Sequence, residues 1–257
     1  MIYLNGQPVN VTIFPDNTSQ VWHIPNLLDI KVAELTWRFS SEAEIMHLAQ
    51  LKDLLDHYEI PANLKIEYLP YGRQDKEISN ETTFALHSFA KILNRMEFDY
   101  VDIVDPHSHV ALNLINDSQE MYPVSRVFKV AIETESDIMC FPDKGALEKY
   151  SVEYNNLYMP YIFGQKVRDQ ATGNITHYQL VGECYGKNVL IVDDICDGGM
   201  TFKLLAKELL AAGAKSVVLF VSHGIFSKGT RTLFESGISR VFTQDGEVGP
   251  RETSIQF

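Results

Sequence analysis

The stretch VLIVDDICDGGMTF, Val189 to Phe202, ends an apolar run on two adjacent carboxylates, Asp193 and Asp194, and opens a glycine turn with a third, Asp197. The run reads as a strand and the residues from Thr201 onward as a helix. A strand–turn–helix of this kind aims backbone N–H groups at the space before the helix, where an anion is favoured. Gly198 and Gly199 let the backbone approach closely, and Thr201 can add a hydroxyl. The carboxylates on the strand side cannot face that anion. They suit sugar hydroxyls or a hydrated Mg2+. A phosphate on one side and a diol on the other describe a ribose phosphate. The GxGxxG and GxxxxGKS/T patterns are both absent, so neither a dinucleotide fingerprint nor a Walker loop competes for the stretch.

Other acids fall at similar places. Asp105 closes DYVDIVD and Asp143 closes SDIMCFPD, both strand-like. In open α/β sheets ligands gather beyond the carboxyl ends of strands. A single acid there is as readily a helix cap; several at successive strand ends are harder to explain that way.

These acids need a scaffold, and the chain supplies one. MIYLNGQPVNVTIF carries Asn5-Gly6 between β-prone runs and reads as a hairpin. KVAELTWRF, NLKIEYLP, LYMPYIFG, KNVLIVDD and KSVVLFVSHG read as strands. SSEAEIMHLAQLKDLLDHY, SNETTFALHSFAKILNRM, KGALEKYSVEY and TFKLLAKELLAAGA read as helices, the last stopped by Gly213. QKVRDQATGNITHYQLVGECYG, polar and glycine-containing, reads as a loop. Strands alternating with helices predict mainly parallel sheets flanked by helices. Two such series predict two α/β domains, 1–120 and 121–257, with the joint near residues 116–126.

Composition narrows the function classes. The formal net charge of −12 argues against binding a nucleic-acid backbone, which leaves a basic footprint. The cysteines Cys140, Cys184 and Cys196 have no CxxC spacing, which argues against a disulfide framework or a zinc site and fits a reducing compartment. No basic, then apolar, leader opens the chain, and no run approaches the ~18 apolar residues of a membrane helix. A cytoplasmic protein without a membrane partner is expected.

VLIVDDICDGGMTF resembles the ribose-phosphate motif of the type I phosphoribosyltransferase fold. IEYLPYGRQDKE resembles the ATP-binding segment of the ribose-phosphate pyrophosphokinases, the PRPP synthetases. TIFPDNTS, DIVDPHSH, CFPDKGA, GQKVRD and VSHG resemble further motifs of that family, in the same order along nearly the whole chain. The resemblance implies two phosphoribosyltransferase-like domains and transfer of the diphosphoryl group of ATP to the anomeric hydroxyl of a ribose 5-phosphate unit. It implies that Arg73, Gln74, Asp75 and His107 hold ATP, with Phe14 and Asp16 of a neighbouring subunit closing the adenine pocket of a homo-oligomer. His107 and Asp143 would serve Mg2+. Lys166, Arg168 and His107 would be catalytic, the first two clamping the transferred group. Asp193 and Asp194 would take the ribose diol, and Asp197, Gly198, Gly199, Met200 and Thr201 the 5-phosphate.

The chain departs from the family at three places. Its phosphate loop has Gly198 where a threonine is usual and Met200 where a glycine is. The lost hydroxyl and added thioether suit a 5′-substituted ribose such as ADP-ribose, beside ribose 5-phosphate itself. A basic insertion usual after the Arg-Gln-Asp block is missing, and Thr18 stands in place of a glutamate. Two rivals stay open: a phosphoribosyltransferase that consumes the activated sugar, and a non-catalytic regulatory subunit.

Overall fold

The computed structural model describes residues 1–168 and 175–252, with backbone alone at 166–168 and 175–178. The chain divides into two compact units, one of Met1–Met121 and one that begins at Tyr122. Both are α/β, as the alternation of strands and helices predicts.

The first unit opens with β1 (Ile2–Leu4) and β2 (Gln7–Pro8), turning at Asn5 and Gly6, which both have positive φ, 49° and 77°. That pair of left-handed residues is the tight hairpin turn the Asn-Gly dipeptide favours. β3 (Val11–Ile13) does not continue this hairpin; it pairs instead with β4 (Ser19–Val21) in a separate two-stranded sheet. β5 (Ala33–Trp37), α1 (Ala43–His57), β6 (Ala62–Ile66), α2 (Ala85–Asn94), β7 (Tyr100–Val104), α3 (Val110–Leu114) and β8 (Ser118–Met121) follow. The sheet order is β2-β1-β5-β6-β7-β8, parallel from β5 to β8.

Helix α1 starts without a conventional side-chain cap. Instead the Glu44 carboxylate accepts from the Ser40 N–H and hydroxyl and from Trp37 Nε1 at 2.9 Å, which satisfies the entry to the helix from inside its first turn. Helix α2 buries Leu86, Phe89, Ala90 and Leu93, the face its sequence spacing gives. Burying each large side chain contributes roughly 1.5–3 kcal/mol.

The second unit comprises α4 (Val124–Glu133), β9 (Ile138–Phe141), α5 (Lys144–Tyr150), β10 (Tyr161–Arg168), β11 (Ile175–Val181), β12 (Asn188–Cys196), α6 (Met200–Ala211), β13 (Ser216–Gly224), α7 (Arg231–Glu235), β14 (Ile238–Thr243) and β15 (Gly246–Val248). Its sheet runs β11-β10-β9-β12-β13-β14-β15, with antiparallel pairs only at the two edges. Each face of this sheet has its own core. Val189, Ile191 and Leu219 pack with α6, while Leu190, Val192 and Phe220 pack with α4 and α5. The strict alternation along β12 follows from the two-residue period of a strand, and burial on both faces explains its unbroken apolar run.

One expectation is overturned here. Residues 161–168 and 175–181 form an antiparallel pair of strands, where the sequence reads 165–186 as a loop. β11 is the edge of the sheet and β10 pairs with β9 only over Tyr161–Phe163, so most of this pair has one neighbour, and such a ribbon needs no continuous apolar run. Its polar composition therefore looks like that of a loop.

Candidate functional site

In the second unit the parallel register brings three acids together. Cys140 lies opposite Ile191, so the residues just past β9 run alongside the end of β12. Asp143 thereby stands close enough to Asp193 for its charge to be felt there. Asp194, on the α5 side of the strand, is buried and lies 3.8 Å from Lys149 Nζ, which also sits over the Tyr150 ring. Burial holds the Asp193 carboxyl well above the usual carboxylate range; the charges of Asp194 and Asp143 add to that, and Lys149 opposes them. Among the described residues Lys149 thus faces an excess of carboxylates. Such a site favours ligands that donate, such as sugar hydroxyls or a hydrated cation. Asp143 also caps α5, its Oδ1 accepting the Ala146 N–H at 3.0 Å.

The glycine turn leads from β12 into α6. Gly199 has φ +71°, and a Cβ there would come within 2.8 Å of Leu233 Cδ2. Only glycine fits, and the turn delivers the first N–H groups of α6 beyond the strand end. Gly198 differs. Its φ is ordinary, and a Cβ would meet nothing nearer than the Lys228 stem at 3.8 Å. Asp197 is tied back by the hydroxyl of Ser227 and, at 3.3 Å, by its N–H. The loop after β13 therefore folds over the glycine turn. Met200 is exposed as the first residue of α6, with Thr201 beside it. Cys196 is no nucleophile here, since burial and then the charges of Asp193 and Asp197 push its thiol up to about 12.

In the first unit two loops at strand ends meet. Asp75, in the loop after β6, accepts the Ser108 hydroxyl at 2.7 Å, and Ser108 follows His107 in the loop after β7. Arg73, Gln74 and His107 are exposed around this bond. Asp105, at the end of β7, is buried with φ +44°, a strained conformation for aspartate that sharply turns the chain into Pro106 and His107. Phe14 and Asp16 belong to the β3–β4 hairpin. Asp16 accepts from Thr18 N and Oγ1, at 3.0 and 2.7 Å, so Thr18 locks the hairpin turn. An open groove of about 950 Å³ runs between this hairpin and α1, lined by Phe14, Trp22, Gln50 and Asp53 among others. It lies apart from the Asp75–Ser108 loops in the sequence and carries none of the expected catalytic groups.

Lys166 and Arg168 fall on the backbone of β10, and their side chains lie outside the described residues. Among the described residues no group of three or more His, Cys, Asp or Glu is arranged to hold a metal alone. An Mg2+ that arrives with nucleotide phosphates needs only one or two protein carboxylates, and the single carboxylate of Asp143 just past the end of β9 fits that. Lys149, Ser108, Ser227 and Lys228 were not legible as site residues. The available signal was their position on or after strands that neighbour the acids, where ligand groups collect.

The phosphoribosyl transferase domain family matches residues 138–254. Ribose-phosphate pyrophosphokinase of Sulfurisphaera tokodaii is 26% identical over 238 residues, which cover 90% of this chain and 81% of that protein. The chain is a divergent homologue of the ribose-phosphate pyrophosphokinase family. Ribose-phosphate pyrophosphokinase 2 of Saccharomyces cerevisiae is 29% identical over 182 residues, 68% of this chain and 57% of that one. In fold, the crystal structure of phosphoribosylpyrophosphate synthetase from Mycobacterium smegmatis is similar with a TM-score of 0.75, at 20% identity, covering 91% of this chain and 78% of that one. The two phosphoribosyltransferase-like units are thus those of the ribose-phosphate pyrophosphokinase fold. No helix among the described residues is long and apolar enough to cross a membrane.

Proposed function

We propose that the chain transfers the β,γ-diphosphoryl group of ATP to the anomeric hydroxyl of a ribose carrying a 5-phosphate. The O1–Pβ bond forms, the bridge between Pα and Pβ breaks, the O1 proton is lost and AMP leaves. Similarity to the ribose-phosphate pyrophosphokinases supports diphosphoryl-transfer chemistry, and the β12–turn–α6 geometry supports the assignment of the acceptor side. There Asp193 and Asp194 take the ribose hydroxyls, and the N–H groups of 198–201 take the phosphate, with Thr201 adding its hydroxyl. Asp197 acts through Ser227 by holding the turn.

On the nucleotide side Arg73, Gln74, Asp75 and His107 bind ATP, and Phe14 and Asp16 of a neighbouring subunit close over the base. His107 and Asp143 serve Mg2+, which when bound neutralises charge on the β and γ oxygens. Lys166 and Arg168 add two fixed cations to the group in flight. Transfer of this kind asks for alignment and charge stabilisation and needs no protein nucleophile.

The acceptor we assign is a 5′-substituted ribose, ADP-ribose first, with ribose 5-phosphate its competitor. The supporting observation is the room at Gly198, where a Cβ would meet nothing nearer than the Lys228 stem at 3.8 Å, so the missing threonine hydroxyl is not forced out by crowding. Loss of one charge-assisted hydrogen bond costs a terminal dianion roughly 1.5–3 kcal/mol, and a diester less. Product mass and kcat/KM with both acceptors, ATP and Mg2+ test this. AMP release with a new 1-diphosphate is expected. A tenfold or greater preference for ribose 5-phosphate discards the 5′-substituted acceptor, and no AMP release with any acceptor discards the reaction.

A further inference from the structure

The β3–β4 hairpin is a sheet of its own, detached from the main sheet of its unit. Two strands alone are marginal in water, so something else must fix them. Helix α1 does so with two side chains one turn apart. Gln50 accepts the Val21 N–H on Oε1 at 2.8 Å and donates Nε2 to the Ser19 carbonyl at 3.0 Å. One amide thus gives the open edge of β4 the donor and acceptor that a neighbouring strand would supply. His47 adds a bond of 2.6 Å between Nε2 and the Ser19 hydroxyl, and both His47 and Val21 are buried. The hairpin so held carries Phe14, whose ring stands 6.3 Å from that of Trp22, and the turn closed by Asp16 and Thr18.

We propose that Gln50 and His47 are positioning residues for the nucleotide, latching the hairpin at the register that presents Phe14 and Asp16 to ATP. This rests on the reading above, in which those two residues serve the ATP site. The latch acts through geometry alone. A released hairpin samples many orientations, and the fraction that presents Phe14 correctly falls. The acceptor groups, carried by the second unit, are untouched.

The test uses the full chain and two variants. Gln50→Leu keeps the bulk and removes both backbone bonds; Ser19→Ala removes the His47 bond alone. Steady-state kinetics give kcat and the KM of Mg-ATP and of the acceptor, and hydrogen exchange reads the Val21 amide. For Gln50→Leu the KM of Mg-ATP is expected to rise about tenfold, with kcat and acceptor KM within about twofold, and Val21 to exchange faster. Ser19→Ala should show the same selectivity at about threefold, and it decides the matter if Gln50→Leu does not fold. Faster Val21 exchange with an unchanged KM for Mg-ATP overturns the latch, as does an equal rise in both KM values. A wild-type chain that releases no AMP overturns the functional reading and the latch with it, an outcome distinct from either.

Discussion

The Ser108 hydroxyl donates to the Asp75 carboxylate at 2.7 Å, a bond that joins the loop after β6 to the loop after β7. Arg73 and Gln74 stand on the first loop and His107 on the second, so the bond contributes to their mutual placement. A hydrogen bond to a charged acceptor is worth about 1.5–3 kcal/mol when buried and less at this half-buried position. Ser108→Ala is therefore expected to raise the KM for ATP about three- to tenfold and to leave the acceptor KM alone. Initial-rate kinetics with each substrate varied in turn check this. An unchanged KM for ATP means that the two loops do not share a nucleotide.

The two cations on β10 answer to a different measurement. Lys166→Ala and Arg168→Ala should each lower kcat by about two orders of magnitude or more, with ATP binding by calorimetry nearly unchanged. A charge that acts on the transferring group stabilises the transition state more than the bound ground state. Near-normal kcat in both variants would remove them from the chemistry.

The adjacent glycines in the turn after β12 should behave oppositely. Gly199→Ala puts a Cβ at φ +71° and within 2.8 Å of Leu233, which costs about 1–2 kcal/mol in backbone strain alone and shows as a lower Tm. Gly198→Thr meets nothing nearer than 3.8 Å and should fold normally. It adds a hydroxyl to the turn proposed to take the phosphate, so kcat/KM should shift toward ribose 5-phosphate over ADP-ribose by about tenfold. Acceptor competition followed by mass spectrometry reads the ratio; no shift would separate Gly198 from acceptor choice.

Glu44 sets an acid limit on the first unit. Burial alone would raise its carboxyl pKa; the Met1 ammonium, Ser40 and Trp37 together outweigh that and hold it below the ordinary value. A carboxylate with a depressed folded pKa stabilises at pH above its unfolded value and loses that contribution as pH falls through the folded one. Glu44→Gln should lower stability by about 1–2 kcal/mol near neutrality. The gap between wild type and variant should close as pH drops below about 4.5. Thermal melts of both chains across that range decide it, and a gap independent of pH would assign the loss to packing instead.

Periodicity and turn chemistry were legible from the chain alone because they are local. The alternation of strands and helices, the Asn5-Gly6 turn, the buried face of α2 and the glycine turn after β12 each depend on residues a few positions apart. The acids at strand ends were legible for the same reason, since a strand's end is marked in its own sequence. What the sequence withheld is non-local. The β10–β11 pair looked like a loop because most of it lies beyond β9 with a single neighbour and needs no apolar run, and β4 went unread because its stabilising partner is a helix side chain, Gln50. Lys149 meets Asp194, Ser108 meets Asp75, and Ser227 meets Asp197 only after parallel strands have aligned their ends. The sequence determined which chemical groups the chain owns and on what local elements they ride. Tertiary structure decided which of them share a charge or a hydrogen bond, because a parallel register unites residues tens of positions apart by bonds between backbones, which side-chain identity barely encodes.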